Sequence, residues 1–161
     1  MITILIAEDN PVNRELLREL LEGRGYAVLE ACDGQEALRV LEKTLPDMLL
    51  LDLNMPVMDG FATIRKIRDN PSFARLPVLA VTAYAMRGDR EKILDAGFDG
   101  YLSKPIHAAA LEVELERLRA PNRSNPSVDP VHHNGAASAA AGATGTPGAV
   151  RPNSGASEPR Q

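Results

Sequence analysis

Met48 to Leu51 are four apolar residues in succession, and Asp52 ends the run. With no polar face to offer water, such a run fits a strand buried on both sides of a parallel sheet. Asn54 to Gly60 then supply Asn, Pro, Asp and Gly, so the chain turns there. Asp52 therefore stands where a central strand meets a loop, the edge at which open α/β sheets bind ligands. A lone Asp in that position is also a common turn or helix cap. The other strand ends decide between the two.

The rest of the chain repeats the pattern. Ile2 to Ala7 is apolar and β-branched and runs into Glu8-Asp9. Asn10-Pro11 reads as a helix N-cap with proline in the first turn. Val12, Leu16, Leu17, Leu20 and Leu21 follow at helical spacing, and Gly23 and Gly25 end that helix. Tyr26 to Ala31 is a shorter, less apolar strand, followed by a helix with Ala37, Leu38 and Leu41 inward. Pro46-Asp47 leads into the central run. Phe61, Ile64 and Ile67 mark a third helix, closed by Asn70-Pro71. Val78 to Val81 is a fourth strand, ending in Thr82-Ala83. A charged helix over 87–96 turns Ile93 and Leu94 inward, with Gly97 as its C-cap. Asp99 to Ser103 forms a fifth strand that ends in Lys104-Pro105, and Leu111, Leu115 and Leu118 define the last helix. Five alternating strand–helix pairs predict a five-stranded parallel sheet with helices on both faces and right-handed crossovers.

Composition divides the chain. Residues 1–120 carry the pattern; the 41 residues from Pro121 onward contain 8 Ala, 6 Pro, 5 Gly and 5 Ser and no Leu, Ile, Met, Phe, Tyr or Trp. A segment so poor in large apolar groups cannot offset its ordering entropy, so 121–161 reads as a disordered tail. Its three Arg against one Asp and one Glu make it +1; with a net charge of −4 for the whole chain, residues 1–120 carry −5. That balance gives no reason to expect nucleic-acid binding. The single cysteine, Cys32, excludes an internal disulfide, and no apolar run approaches a membrane span. A cytoplasmic protein is expected.

Laid side by side, the strand ends give Glu8-Asp9, Asp52, Thr82 and Lys104. Only the second strand ends without such a group, as expected of an edge strand. Carboxylates crowded at one edge repel unless a cation is present. A few oxygen ligands with no Cys or His suit Mg²⁺, which keeps waters for a phosphate. Lys104 and Thr82 complement the remaining oxygens of a phosphoryl group. The chemistry that follows is phosphoryl transfer to a carboxylate, with Asp52 as nucleophile.

Glu8-Asp9, Asp52 within Leu-Asp-Leu-Asn-Met-Pro-Val-Met-Asp-Gly, Thr82-Ala83 and Lys104-Pro105, in this order, resemble the receiver domains of two-component response regulators, over roughly residues 2–120. The resemblance implies a flavodoxin-like strand order 2-1-3-4-5, the order of the chemotaxis receiver. It implies phosphate transfer to Asp52 from a phosphohistidine of a sensor histidine kinase or histidine phosphotransfer protein. It also implies Mg²⁺ bound by Glu8, Asp9, Asp52 and the Asn54 carbonyl, and phosphate contacts from Thr82 and Lys104. Tyr101 is then the switch aromatic that alters the face of the fourth helix, fifth strand and fifth helix, and the Lys104-Pro105 bond is expected to be cis. The acidic pair is Glu-Asp rather than Asp-Asp, a small departure. Asn13 and Arg14 lie on the first helix beside the site, either as a solvated face or as part of a partner surface.

A single-domain response regulator acting through a downstream protein is the reading that follows; a receiver cut from a hybrid histidine kinase is the alternative. A Mg²⁺-dependent phosphohydrolase with an Asp nucleophile typically needs a second Asp two residues on, where this chain has Asn54. A pure docking module would be expected to have lost one of the acids, the Thr or the Lys. Phosphate lifetime is tied by the resemblance to positions such as Asn54 and Tyr84.

Overall fold

The computed structural model describes residues 1–83 and 88–120; Tyr84, the start of the charged helix at Arg87 and the tail 121–161 lie outside the described residues. Five strands alternate with five helices: β1 (Thr3–Ala7), α1 (Pro11–Glu22), β2 (Ala27–Ala31), α2 (Gly34–Lys43), β3 (Met48–Asp52), α3 (Gly60–Asp69), β4 (Val78–Thr82), α4 (Asp89–Asp95), β5 (Gly100–Ser103) and α5 (Ala108–Arg119). All pairings are parallel, in the order β2-β1-β3-β4-β5. β3 and β4 are buried at every residue, as their unbroken apolar runs require. β2, the edge strand, is mostly half-buried.

Strand alternation sorts the side chains into two cores. Leu5, Ala7, Leu49, Leu51, Val78 and Ala80 pack under α2, α3 and α4, against Leu41, Ile64, Ile67 and Ile93. Ile4, Ile6, Met48, Leu50, Leu79 and Val81 face α1 and α5, against Leu17, Leu21, Leu111 and Leu115. Helix starts are capped as their residues dictate. Asn10 accepts from the Val12 and Asn13 amides with Pro11 next, Asp33 accepts from Glu36, and Asp59 accepts from Ala62.

Three expectations need correction. On α1 only Leu17 and Leu21 are fully buried, while Val12 and Leu16 are exposed, because the stripe of five leucine and valine positions is wider than the contact with the sheet. Leu94 on α4 is 39 % exposed rather than inward; Ile93 alone fills the contact. The C-cap of α4 is Ala96, and Gly97 follows at φ +110°, the left-handed position that glycine takes just past a helix. The Lys104-Pro105 bond is cis, as expected. Between β3 and α3, Val57 holds φ +69° while the Met58 amide donates to the Pro56 carbonyl at 2.7 Å, a tight three-residue turn in a region β-branched residues avoid.

Candidate functional site

Register brings the acids together. Ala7 pairs with Leu51, so the next residues, Glu8 and Asp52, stand side by side at the carboxyl ends of β1 and β3. Both continue the α1/α5 face of their strands, set by Ile4 and Ile6 on one and Met48 and Leu50 on the other. Lys104 leaves the end of β5, its amide donating to the Thr82 carbonyl at 2.7 Å, and its ammonium crosses to the acids. Nζ donates to Glu8 Oε2 at 2.7 Å and to Asp52 Oδ2 at 2.8 Å. The other oxygens are also held: the Asn10 amide donates to Glu8 Oε1 at 3.1 Å, and the Asn54 amide donates to Asp52 Oδ1 at 3.0 Å.

Glu8 is 1 % and Asp52 3 % exposed, while the Lys104 side chain keeps 21 %. Burial pushes the Glu8 carboxyl above its ordinary value, although the bonds from Lys104 and the Asn10 amide pull the other way. Burial pulls the Lys104 ammonium down, but its bonds to Asp52 and Glu8 outweigh that and leave it raised. The ammonium is thus a built-in counter-ion to two buried carboxylates.

Asp9 completes the cluster from the exposed side. One carboxylate oxygen from each of Glu8, Asp9 and Asp52 lies within 4.8 Å of the others. Three carboxylate oxygens, one open to water, are a donor set that fits a hard divalent cation keeping part of its hydration shell.

Thr82 and Tyr101 occupy the other face. Alternation along β4 puts Thr82 with Val78 and Ala80, and it lines a cavity of about 410 Å³ with Leu53, Asn54, Phe61, Lys92 and Ile93, between the β3 end and α4. Tyr101, whose neighbour across the pair is Ala80, is half-buried against the same core and lines an outer groove with Arg90, Ser103, His107 and Val113. Asp52 and Thr82 therefore meet only at the rim of the sheet. Asp59 and Gly60 serve as helix cap and first helical residue of α3.

One contact was not visible in the sequence. Arg14 does not lie on a solvated face; its Nη1 donates to the Glu8 carbonyl at 2.9 Å and its Nε lies 3.3 Å from Glu30 Oε1 on β2. The i,i+16 relation between Arg14 and Glu30 follows from β1–β2 pairing, which no local pattern states.

The family model described as response regulator receiver domain matches residues 4–116. The polar-differentiation response regulator DivK of Brucella anthropi is 38 % identical over 104 residues, which span 65 % of this chain and 85 % of DivK. Among solved structures, the receiver domain of sensor histidine kinase PA1611 from Pseudomonas aeruginosa, with a magnesium ion coordinated in its active-site cleft, is 41 % identical with a TM-score of 0.67, covering 72 % of this chain and 95 % of that one. The chemotaxis protein CheY4 of Vibrio cholerae is 30 % identical at a TM-score of 0.69, covering 73 % and 98 %. Among the described residues, no helix is long and apolar enough to cross a membrane. The match over most of residues 1–120, on a sheet ordered 2-1-3-4-5, makes the chain a member of the response regulator receiver domain family.

Proposed function

We propose that this chain is a cytoplasmic response-regulator receiver that accepts a phosphoryl group on Asp52 from a phosphohistidine of a sensor histidine kinase or histidine phosphotransfer protein. The observation that carries the reading is the Lys104 ammonium bridging Glu8 and Asp52 at the ends of strands, beside Asp9. An Asp52 carboxylate oxygen attacks phosphorus in line, the P–N bond to the donor imidazole breaks, and its electron pair stays on that nitrogen. The Asn54 amide holds the other Asp52 oxygen and so orients the attack. Lys104 turns from the carboxylates to the phosphoryl oxygens, and the Thr82 hydroxyl takes another. Glu8, Asp9, Asp52 and the Asn54 carbonyl would hold a magnesium ion, which would supply charge neutralisation at the transferring group.

Incubation with acetyl phosphate and Mg²⁺ is expected to add a single base-labile phosphate, and Asp52→Asn to add none. Equal labelling of that variant would overturn the assignment.

The output follows from the two faces. A phosphoryl group brings about −1.5 to −2 charges and new acceptor oxygens to the rim. Thr82 reaches them by leaving its place beside the α4 cavity, and Tyr101, on the same face one strand away, turns into the vacated space. The α4–β5–α5 face changes shape, and a downstream protein reads it; no nucleic acid or membrane is engaged directly. Phosphate shifts this equilibrium only through its differential affinity for the two states. Thr82→Ala is expected to take up phosphate at Asp52 yet lose most of the amide shift changes that beryllofluoride induces over residues 88–104. Full shifts in that variant would reduce Thr82 to strand-end packing.

A second reading, the receiver portion of a hybrid histidine kinase, is supported by the 41 % identity to a sensor-kinase receiver. The chemistry at Asp52 is the same. Preferred exchange with a phosphotransfer protein over a kinase distinguishes it.

A further inference from the structure

We propose that Arg14 is a positioning residue for the phosphoacceptor cleft, holding the main chain at Glu8 so that the two acids present their carboxylates together. The inference rests on the phosphoacceptor reading above.

Arg14 is on α1, a helix whose neighbouring Val12 and Leu16 are 71 % and 50 % exposed, yet its own side chain is only 19 % exposed. Its guanidinium bridges two structural elements. Nη1 donates to the carbonyl of Glu8 at 2.9 Å, while Nε pairs with Glu30 Oε1 at 3.3 Å on the neighbouring strand. Glu30 is fixed in turn by Arg18 at 3.3 Å. The Arg14 amide donates to the Asn10 carbonyl at 2.9 Å, closing the first turn of α1 directly over the Glu8–Asn10 loop. The peptide so held is the one that joins Glu8 to Asp9. A planar fork with donors on separate nitrogens serves both acceptors at once, which a lysine ammonium on a flexible stem does poorly. A partner that touched only the exposed part of α1 would have no need of this arrangement.

The test follows the amide resonances of Glu8, Asp9 and Lys104 during Mg²⁺ titration, together with labelling by acetyl phosphate, a donor with no docking surface. Arg14→Gln and Glu30→Ala are each expected to weaken Mg²⁺ binding about tenfold, as loss of partners behind metal ligands commonly does. Both should raise the Mg²⁺ needed for half-maximal labelling and leave the rate at saturating Mg²⁺ near that of the parent. Arg14→Lys should fall between. Leu21→Val, which trims the α1 core one turn farther from the cleft, should lower the melting temperature and leave Mg²⁺ affinity unchanged. Parent-like Mg²⁺ binding in Arg14→Gln, with loss only of transfer from a protein phosphodonor, would make Arg14 a docking residue and overturn the inference. Failure of the parent to bind Mg²⁺ or take up phosphate would overturn the phosphoacceptor reading itself.

Discussion

Replacing Lys104 by Met is expected to destabilise the domain by about 3 kcal/mol at neutral pH in the absence of Mg²⁺, lowering the melting temperature by roughly 10 °C. The Met side chain keeps most of the volume and removes only the charge. Glu8 and Asp52, almost wholly buried, then face each other with no counter-ion between them. The figure sits at the low end of the range for breaking a buried ion pair because the ammonium itself retains some contact with water. The pH dependence has a definite sign. Glu8 has its folded-state value raised above the ordinary 4.5, so its ionisation costs the folded state, and that cost grows as pH rises from 4.5 through the raised value. Removing Lys104 takes away the hydrogen bond that held the shift down. The deficit between variant and parent is therefore largest at neutral pH and shrinks as pH falls towards 4.5. Added Mg²⁺ should narrow it too, by supplying a cation to the same carboxylates. Identical melting curves for the two proteins at pH 7 would show that the bridge contributes nothing to the fold.

Gly60→Ala is the second large effect expected. A β-carbon there would stand 2.6 Å from the Asp52 carbonyl oxygen and 2.8 Å from the Leu53 Cα, both main-chain atoms at the strand end that carries Asp52. Neither atom belongs to a flexible side chain that can rotate away. The Gly60 amide also donates to the Leu53 carbonyl at 3.1 Å, which ties the start of α3 to that loop. Relief requires the loop or the helix to shift, at a cost of about 3 kcal/mol, the upper end for overpacking. Unlike Lys104→Met, this loss should not respond to Mg²⁺ or to acid, and phosphate uptake should fall because the Asp52 main chain moves. A parent-like melting temperature with parent-like labelling would mean the contact yields far more easily than its atoms suggest.

Much of this was legible in the sequence, for identifiable reasons. The buried runs of β3 and β4 have no polar face, so their strand character and central place followed directly. The Asn10-Pro11 cap was legible because capping is a local bond between near neighbours. The convergence of Glu8, Asp9, Asp52 and Lys104 followed from their places at the carboxyl ends of strands once a parallel sheet was inferred. Which leucines on α1 meet the sheet did not follow, since Val12 and Leu16 obey the same spacing as Leu17 and Leu21 and differ only in where the helix rests. Leu94 failed for the same reason: adjacent helical residues point about 100° apart, and only Ile93 faces the sheet. The Arg14–Glu8–Glu30 bridge stayed hidden because it joins three elements whose registry a single sequence does not state.

The sorting of the strands into two cores has a consequence for how such a chain can change over generations. Among the described residues the two clusters share no side chain, and the sheet backbone alone separates them. A substitution in the layer under α1 and α5 is felt by its own neighbours and only weakly by the layer under α2, α3 and α4, since effects of separated sites nearly add. The helices beside the acids can therefore drift while the opposite layer keeps its packing, and the reverse. A surface that spans α4 and α5 draws one helix from each layer, so the two halves of such a face are free to vary separately, joined only at the rim where Asp52 and Thr82 end neighbouring strands.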